Sequence, residues 1–389
     1  FILSLNGCVN CTSFSMLEGD EIILYWNSIS KSLNNFSTIL YNSEIFSSGF
    51  YTSLISILYK TLSNTSYHVA IGLNIILTLI SIIYIFRLTN IYLSLFNSKI
   101  ITLLYILYPF FYYYNSVFLR DTIIISLFTI SFYYFVISIR TNIFRYKIYF
   151  LLLSLFSSFL HVANLIYFFT GFILYIYLSV DLLFSKYLKK YIKNLLYSLF
   201  LTTGILSILL IYFLNYELIS NYRIPKLGYI NDINFEYLFS KMNIYKQASA
   251  SQPIFLNINN IYEFFYKSPL KFFYFTYAAF PWEIESIKHF FGFIDSIILF
   301  FLSLIIIINF NKIFFKKEIV FVLLLILPIY FTYAVFGSNF GTNMRHRIKF
   351  FHVFLFLSSF GIVPIMLYAE YYYKKIYHYL SEKKNIINY

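Results

Sequence analysis

The sequence is short of charge. Asp, Glu, Lys and Arg supply 12% of its 389 residues, about half of the roughly 25% usual in soluble domains. Hydrophobic residues make up 60% and the mean hydropathy is +0.72. So little polar surface excludes a soluble globular protein. Cysteine is scarce too: the two present form Cys8-Val9-Asn10-Cys11. With no further ligands at zinc spacing, a structural zinc site is excluded, and a loop disulfide on an oxidising face remains open. No glycine-rich phosphate loop of the nucleotide-hydrolase kind occurs, so ATP-driven transport has no support within the chain. The opening residues do not read as a secretory signal peptide, since no basic start or cleavage site is visible in them. Phe1 to Leu5 reads instead as the tail of an apolar segment ending at Asn6-Gly7, the remnant of a first transmembrane helix.

What is abundant is apolar sequence of membrane-spanning length. Nine or more membrane-embedded helices are expected, near 67–86, 99–114, 122–139, 149–161, 164–180, 195–214, 291–309, 319–337 and 350–369. The fold class is therefore all-α, a single polytopic transmembrane bundle over 1–389. The fourth and fifth runs read as a hairpin turning near His161–Asn164, with one long helix as the alternative. Segment 20–33 is too polar to span and reads as an interfacial helix, with 50–62 as a second. The excess of Tyr and Phe matches an AT-rich coding sequence, so the 41 tyrosines do not by themselves indicate carbohydrate stacking.

Charge sets the orientation. One set of connecting segments, with Arg87, Arg140, Lys190, Lys317 and the basic tail 370–389, collects sixteen of the 29 basic residues but four of the 16 acidic ones. That face is expected to be cytoplasmic, so the net charge of +13 reports topology and not nucleic-acid binding. Two long loops, 6–66 and 216–290, then lie outside. Long irregular loops in compact proteins are usually functional or disordered, and the aromatic content of 216–290 argues against disorder.

Five features on the expected outer face are candidates for chemistry. Glu18-Gly19-Asp20-Glu21 precedes Tyr25-Trp26. A carboxylate at a helix start is a natural cap, but it also suits a general base at the membrane surface, with a neighbour holding a divalent cation. Arg120-Asp121 lies at a helix end, either as a local ion pair or as a phosphate-holding guanidinium. Arg345-His346-Arg347 followed by Lys349 puts four basic groups into five positions where positive charge is disfavoured. They pair with outer acids or lipid headgroups, or they hold a phosphate leaving group. Trp282, in Phe280-Pro281-Trp282-Glu283, is an interface aromatic or a substrate contact. His161, at the tip of the hairpin, is a polar helix end or a binding residue.

These residues resemble a known family. Asp20-Glu21-x-x-x-Tyr25, followed by Gly49-Phe50-Tyr51 with Leu54, looks like the first external loop of GT-C glycosyltransferases, polytopic enzymes that use polyprenyl-phosphate sugars. Tyr108-Pro109 ahead of Arg120-Asp121 is similar to the family's next external turn. Phe280-Pro281-Trp282 and Arg345-His346-Arg347 resemble members that serve bacterial envelope polysaccharides. The resemblance implies a GT-C-like fold in the plasma membrane and an inverting sugar transfer on its external side. Asp20, Glu21 and Asp121 would be the catalytic acids. Tyr25, Arg120, His161, Trp282, Arg345, His346 and Arg347 would bind substrate, and Asp20 with Glu21 would hold any divalent cation (Mg or Mn). The implied partners are the polyprenyl-phosphate-linked sugar, a glycan or lipid acceptor and membrane lipid, with no nucleic acid. Arg120-Asp121 with His161 is also similar to Wzy/EpsG-type polysaccharide polymerases, although Asp121 stands where those carry Gln. A lipid-linked oligosaccharide transporter is the other alternative. Transporters place polar groups at mid-membrane, whereas the ionisable residues here cluster at helix ends.

Overall fold

The computed structural model describes residues 20–41, 47–115, 117–184, 252–285, 287–311, 316–337, 339–366 and 368. The expected span 195–214 and the tail 370–389 lie outside these residues, as does most of the loop 216–290. Everything described is helix, turn or short connection, with no strand among the described residues.

The helices in chain order are α1 Asp20–Ser32, α2 Phe36–Tyr41, α3 Ser48–Leu62, α4 Tyr67–Asn90, α5 Leu95–Ile106, α6 Pro109–Asn115, α7 Asp121–Thr141, α8 Phe144–Leu160 and α9 Asn164–Phe184. After the undescribed stretch come α10 Ile261–Tyr277, α11 Ile287–Ile308, α12 Lys317–Phe336 and α13 Phe340–Arg347. A 3-10 turn, Ile348–Phe350, then leads into α14, residues 351–366. Among the described residues five segments are long and apolar enough to cross a membrane: Tyr67–Asn90, Asp121–Thr141, His289–Ile308, Lys317–Phe336 and Phe340–Met366. The protein is a membrane protein on that ground. Five is fewer than the nine expected, because α5, α8 and the apolar part of α9 are short and 195–214 lies outside the description.

Local sequence explains the boundaries. Ser47, Ser66, Asn260 and Asn339 each accept a backbone N–H at the start of α3, α4, α10 and α13, satisfying donors that a helix cannot pair internally. The expected span 99–114 is divided into α5 and α6 at Tyr108-Pro109. Proline lacks an N–H and disfavours helix at the residue before it. The hairpin turns where expected, with His161 in an extended conformation between α8 and α9.

α7 is the axis of the bundle, buried on nearly all sides from Thr122 to Thr129 and flanked by α4 and α8. Hydroxyls knit the apolar helices together. Ser131 and Ser138 of α7 bond Tyr167 and Tyr175 of α9 at 3.2 and 2.8 Å, and Ser126 donates to the Leu77 carbonyl at 3.1 Å. Gly171 lets α9 press on α8, because a Cβ there would fall 2.1 Å from the Phe150 ring.

The bundle has two chemically distinct ends. At one, Arg140 donates to the Ile91 carbonyl at 2.6 Å, and Arg140 and Lys316 both lie over the Tyr92 ring. At the other end of α7 are Arg120 and Asp121. The 21 residues of α7 separate the two by about 30 Å at 1.5 Å per residue, the thickness of a bilayer's hydrocarbon core.

Candidate functional site

The end of the bundle opposite Arg140 gathers ionisable residues from three parts of the sequence. The turn between α12 and α13 is what brings the last of them in. A Cβ on Gly337 would meet the Asn343 side-chain oxygen at 2.1 Å and the Tyr333 carbonyl at 2.9 Å, so only glycine lets α13 fold back over the end of α12. Asn339 then caps α13, and Arg345, His346 and Lys349 project from its last turn and the following 3-10 turn.

Asp121 is the hub. Arg345 donates to its Oδ2 from Nε at 3.1 Å and from Nη2 at 2.7 Å, and Lys349 Nζ lies 2.8 Å from Oδ1. The Asp121 and Lys349 side chains are 2% and 0% exposed, whereas Arg345 keeps 18% of its side chain exposed. Lys349 also contacts His346 Nδ1 at 3.0 Å. The His346 ring packs 4.2 Å from that of Tyr333 and 5.6 Å from that of His161. Tyr333 donates to Asn164 at 2.7 Å, and Arg120 donates to the Leu160 carbonyl, next to His161, at 2.9 Å. Among the described residues, three cations, two imidazoles and one carboxylate therefore meet at one end of the bundle.

The carboxylate oxygens of Asp121 are occupied by donors on both sides. Its geometry fits a residue that positions Arg345 and Lys349 better than one that takes a proton from substrate. His161 is half-buried. Burial, with Arg120 and Lys349 nearby, holds its imidazole well below the ordinary 6.5. In the fold it is therefore neutral at a pH where the unfolded chain takes up a proton, so its contribution to stability is complete above pH 6.5 and declines as pH falls below that value. One such proton is worth up to about 1.4 kcal/mol per pH unit. Between pH ~6.5 and ~5 the melting temperature of the wild type should fall faster than that of a His161→Gln variant. Parallel profiles would show His161 to be solvated.

The other expected site residues lie elsewhere. Arg345 and Arg347 do not form one guanidinium pair, because they serve different carboxylates. Arg347, fully buried, pairs with Asp295 of α11 at 2.8 Å and donates from Nη1 to the Thr276 and Ala278 carbonyls and to Ser296 at 3.1, 2.6 and 2.9 Å. Tyr108 donates to the other oxygen of Asp295. Tyr25 is buried, donates to the Thr65 carbonyl at 3.0 Å, and packs on Tyr59, Tyr67 and Phe118. It is a packing residue in this structure. Trp282 is 77% exposed and stacks on Phe280, away from the cluster's own ring contacts.

α1 begins at Asp20, but the side chains of Asp20 and Glu21 lie outside the described residues, and with them the expected base and cation ligands. Among the described residues no three His, Cys, Asp or Glu side chains converge as a metal site. The helices of the first loop do reach this end of the bundle. Tyr25 of α1 and Tyr51 of α3 touch Phe118, just before Arg120, and Phe50 of α3 touches Phe159 near His161.

Lys349, Tyr333 and Asn164 belong to the cluster, although only Lys349 stood out in the sequence. It sits four residues after Arg345, a spacing that places both on one helical face. Comparison with protein-family models, with curated proteins and with solved structures finds no match.

Proposed function

We propose that the protein is an inverting, membrane-embedded glycosyltransferase of GT-C type. It moves a sugar from a polyprenyl-phosphate carrier to a glycan or lipid acceptor on the outer face of the plasma membrane. The observation that carries this reading is the convergence of Arg120, His161, Arg345, His346 and Lys349 around the carboxylate of Asp121 at one end of the bundle. Cations gathered in a poorly hydrated setting attract an anion strongly, and a lipid phosphate presents its charge at that depth. The basic groups around Tyr92 support a cytoplasmic assignment for the opposite end under the positive-inside rule.

In this reading the acceptor oxygen attacks the anomeric carbon, the bond from that carbon to the phosphate oxygen breaks, and polyprenyl phosphate departs. Arg345, with Arg120, neutralises the departing phosphate, a form of stabilisation that grows as the bond breaks. Asp121 and Lys349 hold Arg345 and His346 in place. The proton of the acceptor passes to a carboxylate at the start of α1, Asp20 first and Glu21 second. Where a divalent cation is used, Asp20 and Glu21 would hold it, and it would supply positive charge to the departing phosphate.

Transfer by purified protein in nanodiscs, with a labelled polyprenyl-phosphate sugar, tests the proposal. Asp20→Asn should lower turnover by roughly a hundredfold or more, the range for losing a general base. Undiminished turnover would remove Asp20 from that role. A second reading, a polymerase of lipid-linked repeat units, is favoured by one observation: Arg120 binds the carbonyl adjoining His161, so the Arg and His of that resemblance do meet. A ladder of products would support polymerisation, and one added sugar would support simple transfer.

A further inference from the structure

The contacts of His161 and His346 fix the form of each ring. The backbone N–H of Ala163 donates to His161 Nδ1 at 3.3 Å, so that nitrogen presents a lone pair. Tyr333 also approaches this atom, at 3.4 Å, but its own proton is committed to Asn164. On His346 the Nδ1 atom faces the Lys349 amine at 3.0 Å. Asp121 lies 2.8 Å from that amine and keeps it an ammonium, which can only donate.

Both Nδ1 atoms are therefore acceptors, and each neutral ring carries its hydrogen on Nε2. Among the described residues neither Nε2 has a hydrogen-bond partner, and neither is one of the sealed unpartnered atoms. The two rings lie edge to face, 5.6 Å apart, beside the partly exposed side chain of Arg345. A second proton on either ring is opposed by the groups that face it. These are Arg120 ahead of α7, Arg345 on α13 and Lys349 on the 3-10 turn, with Asp121 already bound by two of them and Tyr333 of α12 neutral.

We infer that His161 and His346 are a pair of neutral Nε2–H donors to the oxygens of a bound phosphoryl group, and act neither as general bases nor as cations. The inference rests on the anion-binding part of the proposed function and deepens it. A donor-only set of two imidazoles and two guanidinium groups recognises an oxyanion without taking a proton from anything. The base for sugar transfer then has to come from another segment.

The test uses the full chain in neutral phosphatidylcholine nanodiscs, titrated with sulfate, which stays dianionic across the range. Sulfate affinity should change by less than about threefold from pH ~7.5 to ~5.5, because no histidine gains charge. His161→Gln and His346→Gln should bind within about threefold of wild type, since the glutamine amide nitrogen restores a donor near Nε2, while the alanine variants lose about tenfold or more. An affinity that climbs tenfold as pH falls through ~6.5, glutamine variants as weak as alanine, or no sulfate binding would each overturn the assignment. The pH series on wild type decides the matter even where an alanine variant fails to fold. Inorganic phosphate and a short-chain isoprenyl phosphate, compared at one pH, separate the two sources of the anion. Tighter binding of the isoprenyl compound points to a lipid and equal binding to free phosphate, and either supports the donor pair. Sugar transfer is measured in parallel. Binding with glutamine rescue but no transfer would sink the enzyme reading alone, and transfer without rescue would sink this inference alone.

Discussion

Replacing Arg347 with methionine is expected to destabilise the fold by about 3–5 kcal/mol, the range for removing one partner of a buried ion pair. The reason is what the substitution leaves behind. Asp295, in the middle of an apolar helix, keeps Tyr108 as a donor but loses its counter-charge. The Thr276 and Ala278 carbonyls and Ser296 lose the guanidinium that binds them together. Asp295→Leu alone should be similarly harmful, since it strands a buried guanidinium. The double variant Arg347→Met with Asp295→Leu should recover most of the loss, because apolar side chains of similar volume often replace a buried pair at little cost. Thermal unfolding in detergent measures all three. Single variants as stable as wild type would mean that the pair is solvated. Arg347 thus belongs to the frame that holds α13 against α10 and α11, and it is not expected to touch substrate.

Arg345, two residues earlier, should behave in the opposite way. Arg345→Gln is expected to lower sugar transfer by about 10²–10³, the range for losing one preorganised donor to a developing oxyanion, with a smaller effect on stability than Arg347→Met. Its side chain is partly exposed, and Asp121 would retain Lys349 as a partner. Arg345→Lys should fall between the two. It keeps the charge but not the two-pronged geometry that binds Asp121 Oδ2 through Nε and Nη2. Steady-state turnover and melting temperature, measured on the same preparations, separate the roles. Equal losses of stability and activity in the Gln variant would make Arg345 a structural residue like Arg347.

The contrast between these neighbours shows what could be read from the sequence. Hydrophobic runs placed the spans at Tyr67–Asn90, Asp121–Thr141, His289–Ile308 and Lys317–Phe336 to within a few residues, because lipid leaves apolar length little latitude. The hairpin at His161 was visible because the alternation of basic connections required a return at that point. The apolar run 99–114 reads as one span through Tyr108-Pro109, although the proline there signals a break.

At the site, pairing was the hidden quantity. Arg345-His346-Arg347 looked like one basic cluster, but residues two apart on a helix do not share a face. The partner of Arg347, Asp295, is a lone acid inside an apolar span, and such a residue marks a buried partner by itself. Its partner could not be named without the packing of α11 on α13. Tyr333 and Asn164 carry no sequence signal, being ordinary polar residues in apolar helices until Tyr333 meets the two histidines.

The most direct measurement is an experimental density map of the protein with a polyprenyl-phosphate-linked sugar bound. The phosphate is expected within hydrogen-bond distance of Arg345 and of His161 or His346 Nε2, with the isoprenoid running into the bilayer and the sugar toward the start of α1. A phosphate bound at the Arg140 and Lys316 end, or a cluster around Asp121 that stays closed while transfer proceeds, would contradict the assignment of the site.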